Sequence, residues 1–239
     1  MHRLGAVRYL NTKPLIHGLM DDLPECTLEF DFPSRLADRL NDQQLDIALI
    51  PSVEFLRGRS LTILSDACIG CRGPVRSVRL LFRCDPRDVR TLALDEGSRT
   101  SCVLSQVLLR AIHNVTPKLE PFAIDTDLAA TTADAVLVIG DRAMSIDAPG
   151  IVEDWDLGEK WFEFSGLPFV FAMWVARSGG SSEPHRDYHA IADALEHARD
   201  RGLADAHWLS TQYHHHYNIT PAECERYFCE QLAFHLGEA

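Results

Sequence analysis

The feature that most narrows the fold of this chain is its rhythm. A short apolar run ends in a turn, a helical pattern follows, and another apolar run begins. Short runs rich in Val, Ile and Leu between turns read as buried strands of a mostly parallel sheet, whose crossover helices cover both faces. Leu45–Ile50 is such a strand, Leu4–Val7 is a short strand, and Cys26–Phe32 alternates and reads as a strand. Helical patterns accompany them from Pro14 to about Met20, from Pro33-Ser34 through Leu40, and from Val53 to Leu56. Leu61–Leu64, Cys68–Gly70 and Val75–Arg83 carry the apolar series to the turn Asp85-Pro86-Arg87-Asp88. The rhythm then restarts with the strand Thr91–Leu94, the turn Asp95–Ser98, the helix Thr100–His113 and a strand around Phe122. A helical stretch opens at Asp127, and a buried strand runs over Ala135–Ile139. Asp154–Glu163 is helical or irregular, and Leu167–Val175 is a long strand. Ser178–Ser182 is a loop, and helices over Pro184–Asp200, Ala204–Tyr213 and Pro221–Leu236 end the chain.

Two such blocks, joined near residues 84–90 and closed by a return strand near 167–175, predict an α/β protein of two lobes. The expected division is 1–84 with 171–239, and 85–170. Ligands of open α/β sheets settle at the carboxyl ends of strands, and clefts between lobes are common sites. The turns after strands are therefore where function is sought.

Charge narrows the partners. A formal net charge of -12 argues against broad nucleic-acid binding, which needs a basic footprint. It leaves room for a small anion held by local N–H groups. No run reaches the ~18 apolar residues that span a bilayer. Met1–Gly5 leads straight into a strand without a charged-then-apolar leader, and the seven cysteines are scattered and odd in number. A cytoplasmic protein with reduced thiols and no membrane partner is expected.

Five turns are candidates. In Tyr9-Leu10-Asn11-Thr12-Lys13-Pro14 the Asn11 carboxamide and the Thr12 hydroxyl sit at a helix start, as an ordinary cap or as an anion site. Ser52 reads as the cap of the next short helix. Asp95-Glu96-Gly97-Ser98-Arg99-Thr100-Ser101 is the stronger cradle. Gly97 permits close approach, Ser98, Thr100 and Ser101 donate hydrogen bonds, and Arg99 adds charge. It lacks the Gly-Lys-Ser/Thr ending of a nucleotide loop. The loop Cys68–Val78 contains Cys-Ile-Gly-Cys but no second pair at zinc spacing, so Cys68 and Cys71 read as unpaired small residues. Asp141, after a buried strand, is either a cap or the support of a ligand. His214-His215-His216 cannot all ligate one ion from a regular helix, where consecutive side chains point about 100° apart. No metal site is expected.

At these same turns the sequence resembles the chorismate dehydratases of the futalosine route to menaquinone. The matching stretches are Gly5–Leu15, Leu45–Ser52, Gly73–Val78, Ala93–Ser101, Ile139–Ala143, Asp156–Glu159 and Gly166–Ala172, in order along nearly the whole chain. The resemblance implies a two-lobed fold like that of type II periplasmic binding proteins, with the ligand in a cleft between lobes. It implies a cytoplasmic lyase that takes chorismate, with no cofactor. It also implies Asn11 and Ser77 as the catalytic residues, with the substrate's own enolpyruvyl carboxylate as the base. Thr12, Ser52, Ser98, Arg99, Thr100, Ser101 and Asp141 are the expected substrate contacts. Two other readings remain open: a solute-binding protein for a small carboxylate, and the sister enzyme dihydroxynaphthoate synthase. A ligand-sensing regulator would normally carry a DNA-binding segment, and no helix-turn-helix precedes the first strand.

Overall fold

The computed structural model describes residues 2–57, 60–124, 126–146, 149–178 and 188–237. The chain divides into two compact units, Met1–Gly70 with Val170–Ala239, and Cys71–Phe169. The outward crossing falls earlier than the joint read near 84–90. The reason is the strand β5 (Val78–Phe82), whose backbone is laced on both sides into the second sheet.

Unit 1 is built on a six-stranded sheet. Its strands are β1 (Arg3–Val7), β2 (Thr27–Asp31), β3 (Ile47–Pro51), β4 (Leu61–Cys71), β10 (Phe169–Arg177) and β11 (Ala233–His235), in the order β11-β4-β10-β3-β1-β2. β1 lies parallel between β2 and β3, and β10 returns antiparallel to β3. Every residue of β3 is buried, as its unbroken Ile-Ala-Leu-Ile-Pro run requires of a strand covered on both faces. α2 (Pro33–Asn41) starts with Pro33 in its first turn and buries Leu36, Ala37 and Leu40. α7 (His189–Ala204) buries Ile191, Ala194, Leu195 and Ala198. The expected start of this helix at Pro184, and residues 179–182 of the expected loop Ser178–Ser182, lie outside the described residues.

Three local expectations change in unit 1. The stretch after β1 is not one helix but two 3₁₀ turns, Leu10–Thr12 and Pro14–Ile16, followed by α1 (Leu19–Asp22). Gly18, in the left-handed region at φ 68°, separates them. Leu61–Gly70 is one strand rather than two. The last helix stops early: α9 (Pro221–Arg226) leads into a π-helical turn, Tyr227–Gln231, and then into β11. Leu232 and Phe234 are buried, two residues apart, and two-residue spacing is strand spacing. The edge of β4 supplies the backbone partners.

Unit 2 holds a five-stranded sheet in the order β7-β6-β8-β5-β9. Besides β5 it contains β6 (Thr91–Asp95), β7 (Lys118–Phe122), β8 (Ala135–Ile139) and β9 (Glu153–Asp156). β6 is parallel to β7 and β8, while β5 runs antiparallel to β8 and β9. Leu81, Ala93, Phe122, Val136, Val138 and Ala143 form its core. α4 (Thr100–His113) ends on Asn114 at φ 58°, and α6 (Leu157–Ser165) ends on Gly166 at φ 70°.

Candidate active site

Register alone gathers the predicted turns within each unit. In unit 1, Leu4 pairs with Ile47 and Gly5 with Ala48, so parallel β1 and β3 finish at one edge of the sheet. The Asn11-Thr12 turn and the Pro51-Ser52 turn both leave from that edge. In unit 2, parallel β6 and β8 end together, and Val78 of antiparallel β5 pairs with Ile139. Ser77, the Asp95–Ser101 turn and the Gly140-Asp141 turn therefore share one edge of the second sheet.

In unit 1, Thr12 is not a helix cap. It lies inside the 3₁₀ turn, fully buried, and its Oγ1 donates to Asn11 Oδ1 at 3.3 Å. That bond engages the carboxamide oxygen, while the Asn11 NH2 group carries two donors. Asn11 is only 9% exposed. Ser52 is likewise not a cap, since it is already the first residue of α3 (Ser52–Leu56). Its Oγ donates to the Val170 carbonyl at 2.7 Å and ties the helix start to β10. Behind the first turn, Gly202 of α7 packs on Pro14. A Cβ at Gly202 would sit 2.1 Å from the Pro14 carbonyl oxygen.

In unit 2, the Asp95–Ser101 turn is organised by Asp95, which is 1% exposed. Its carboxylate accepts from Gly97 N at 2.9 Å, Ile139 N at 3.1 Å and the Arg142 guanidinium at 2.5 Å. Burial pushes its pKa up from the ordinary carboxylate value, and neighbouring Arg142 offsets part of that rise. Asp95 thus joins the β6 turn to the end of β8. Ser98 Oγ accepts from Ser101 N at 3.1 Å, which ties the turn to the first turn of α4. Ser98, Thr100 and Ser101 are buried, and Arg99 is half-buried. Asp141 opens the short helix α5 (Asp141–Met144) immediately after Gly140, itself at φ 71°. The Ser77 carbonyl accepts from Gly140 N at 2.8 Å, which locks the start of β5 to that turn.

Among the described residues no group of three or more His, Cys, Asp or Glu is arranged to hold a metal ion. His214–Tyr217 is a 3₁₀ turn, with His214 Nδ1 3.0 Å from the Ile219 carbonyl. Cys68 and Cys71 are free and buried, and burial pushes both thiols up to about 12. No helix among the described residues is long and apolar enough to cross a membrane.

A protein family described as "Menaquinone biosynthesis" matches residues 2–239. The chain belongs to that family. The family resemblance read from the seven motifs is thereby borne out. A relative from Thermus thermophilus named chorismate dehydratase is 29% identical over 98% of this chain and 89% of its own length. Among solved structures, protein AF1704 from Archaeoglobus fulgidus aligns with a TM-score of 0.75 at 13% identity, covering 99% of this chain and 91% of that one. The Candida albicans CA3427 gene product, described as having the generic periplasmic binding protein fold, aligns with a TM-score of 0.59 at 10% identity, over 99% and 82% of the two chains. The menaquinone biosynthesis protein described here therefore has a periplasmic-binding-protein-like α/β fold.

Sequence reasoning passed over two acids that build this family member's unit 2 rim, Asp95 and Asp156. Asp95 reads in the sequence as the first residue of the turn after the strand, with no role of its own. Asp156 had a readable signal, an Asp three residues before Glu159 at a helix start. Its bonds to Val75 and Arg76, 80 residues away, had none.

Proposed function

We propose that this chain is a chorismate dehydratase, a cytoplasmic carbon–oxygen lyase on the way to menaquinone. The observation that carries the reading is its similarity, over 98% of its length, to the Thermus thermophilus protein of that name. In the reaction the C3–H bond of chorismate breaks and its electron pair forms the C3–C4 double bond of the ring. The C4 hydroxyl leaves with one proton as water. The product is 3-[(1-carboxyvinyl)oxy]benzoate. Aromatisation drives the elimination, so the protein's task is mainly to hold the substrate and guide protons. Such chemistry calls for no metal or organic cofactor.

The catalytic pair is Asn11 and Ser77. Asn11, its oxygen engaged by Thr12, presents amide N–H to the charge that develops as the ring loses its proton. Ser77 passes its hydroxyl proton to the departing C4 hydroxyl and regains one from the enolpyruvyl carboxyl group that has taken the C3 proton. The substrate's enolpyruvyl carboxylate takes the C3 proton. Ser98, Arg99, Thr100 and Ser101 hold a carboxylate at the start of α4, where backbone N–H groups converge. Ser52 and Thr12 are contacts from unit 1, and Asp141 supports the rim in unit 2.

Incubation of the purified protein with chorismate, followed by chromatography with mass detection, tests this. The expected product is lighter by one water, carries a benzoate spectrum and is absent without enzyme. Unchanged chorismate over a protein folded by circular dichroism would overturn the reading in favour of a solute-binding role.

A further inference from the structure

Ser77 follows an unusual piece of backbone. Its N–H donates to the Val75 carbonyl at 2.7 Å, closing a three-residue γ-turn. The central residue, Arg76, stands at φ 63°, in the left-handed region. A γ-turn with positive φ is rare, and a side chain there persists only where the surroundings hold it.

A carboxylate gathers its backbone amides. Asp156 Oδ2 accepts from Arg76 N at 2.5 Å and from Val75 N at 3.0 Å. Asp156 Oδ1 accepts from Val75 N at 3.0 Å, Gly158 N at 2.9 Å and Glu159 N at 3.1 Å. The first pair of amides belongs to the turn, and the last two open α6. The contact is close because position 158 is glycine: a Cβ there would lie 2.5 Å from the Gly73 carbonyl oxygen and 2.6 Å from Cys71 Sγ. A helix cap needs one acceptor, which Ser, Thr or Asn supplies as well. Two oxygens serving two pieces of chain exceed that need, and only a carboxylate has them without also being a donor.

We infer that Asp156 is a positioning residue for Ser77, clamping the strained Val75-Arg76-Ser77 turn onto the start of α6; this deepens the proposed dehydratase reading and rests on it. The clamp acts from one side and the Gly140 N–H from the other, so the backbone that carries Ser77 is held at both ends.

The test is chorismate turnover by the full chain carrying Asp156→Asn. Asparagine keeps the size and the helix cap but turns one acceptor into a donor. The expected result is a kcat about 10- to 100-fold lower, as for a reacting group misplaced by about an ångström, with KM changed by less than about threefold. Amide hydrogen exchange at Val75 and Arg76 is expected to accelerate, while α6 beyond its first turn keeps its protection. Asp156→Ser, a one-oxygen cap, is expected to behave alike and serves where the asparagine variant folds poorly. Adding Arg76→Gly, which takes positive φ without a Cβ penalty, is expected to recover kcat by about fivefold or more over Asp156→Asn alone. An active wild type with unchanged kcat in both Asp156 variants overturns the assignment, and so does a loss that Arg76→Gly fails to recover. An inert wild type sinks the dehydratase reading itself, and is told apart because the parent protein, not the variant, fails.

Discussion

The two units solve one problem with a shared device and a different finish. In each, a helix glycine lets a helix press directly on the backbone of a turn that carries a candidate catalytic residue. Gly202 of α7 meets Pro14, next to the Asn11 turn, and Gly158 of α6 meets Gly73, ahead of Ser77. The finish differs in chemistry. Unit 1 sets its turn with small neutral groups, the Thr12 hydroxyl on Asn11 and the Ser52 hydroxyl on Val170. Unit 2 sets its turns with acids that collect backbone amides, Asp95 on Gly97 and Ile139, and Asp156 on Val75, Arg76, Gly158 and Glu159. Neutral bonds on a packed scaffold are weak individually, whereas charge-assisted bonds are about twice as strong and leave a large penalty when their partners are removed. The unit 2 turns are therefore the more exposed to single electrostatic changes, and the Asn11 turn of unit 1 to changes of shape.

The largest effect expected is on rate, and it should be common to both units. Asn11→Ala and Ser77→Ala are each expected to lower kcat/KM for chorismate by about 10²- to 10³-fold with little change in thermal midpoint. Steady-state kinetics decide it, and near-normal rates in both would remove the catalytic pair.

Next comes a stability effect confined to unit 2. Arg142→Met strands the buried Asp95 carboxylate and should destabilise the chain by about 3 kcal/mol near pH 7. The sign with pH follows from the raised Asp95 pKa, which rises further without its cation. A raised folded-state value means the folded form binds the extra proton, so stability falls as pH rises through it. The deficit of the variant should shrink as pH is lowered from 7 toward 5. Denaturant melts across that range check it, and a deficit that grows on acidification would break the contrast.

The smallest effect sharpens the shared device. Gly202→Ala and Gly158→Ala should each cost about 1–3 kcal/mol, because the added methyl meets backbone or a buried sulfur rather than a flexible tip. Gly202→Ala is expected to be the worse, its Cβ falling closer to backbone. Equal midpoints for both variants and the parent in thermal melts would show that the turns yield more easily than their packing suggests.

Much of the frame was legible in the sequence. The runs Ala135–Ile139 and Leu45–Ile50 announced buried strands, because apolar burial on both faces leaves an unbroken hydrophobic signature. The helix α4 was legible over Thr100–His113, the bounds it takes in the fold. The candidate turns were legible as turns for the same reason, since Gly, Asn, Asp and Ser carry local backbone preferences. The end of the chain was not. Pro221 correctly marked a helix start, but the helix's length depended on whether the edge of β4 had room for β11. The strand β5 was read in the wrong unit, because hydrogen bonding to β8 and β9 is not written in its own five residues.

By itself, then, the sequence determined most of the strands and the longer helices, which turns carried polar groups, and which family they belong to, for those properties reside in local preference and in ordered motifs. Only the tertiary structure decided that Thr12 and Ser52 bond to neighbours instead of capping helices, that Asp95 and Asp156 hold the rim of unit 2, and that Arg76 is bent left-handed before Ser77. Those are contacts between residues far apart in the chain, and their energy depends on burial and geometry that no local pattern encodes.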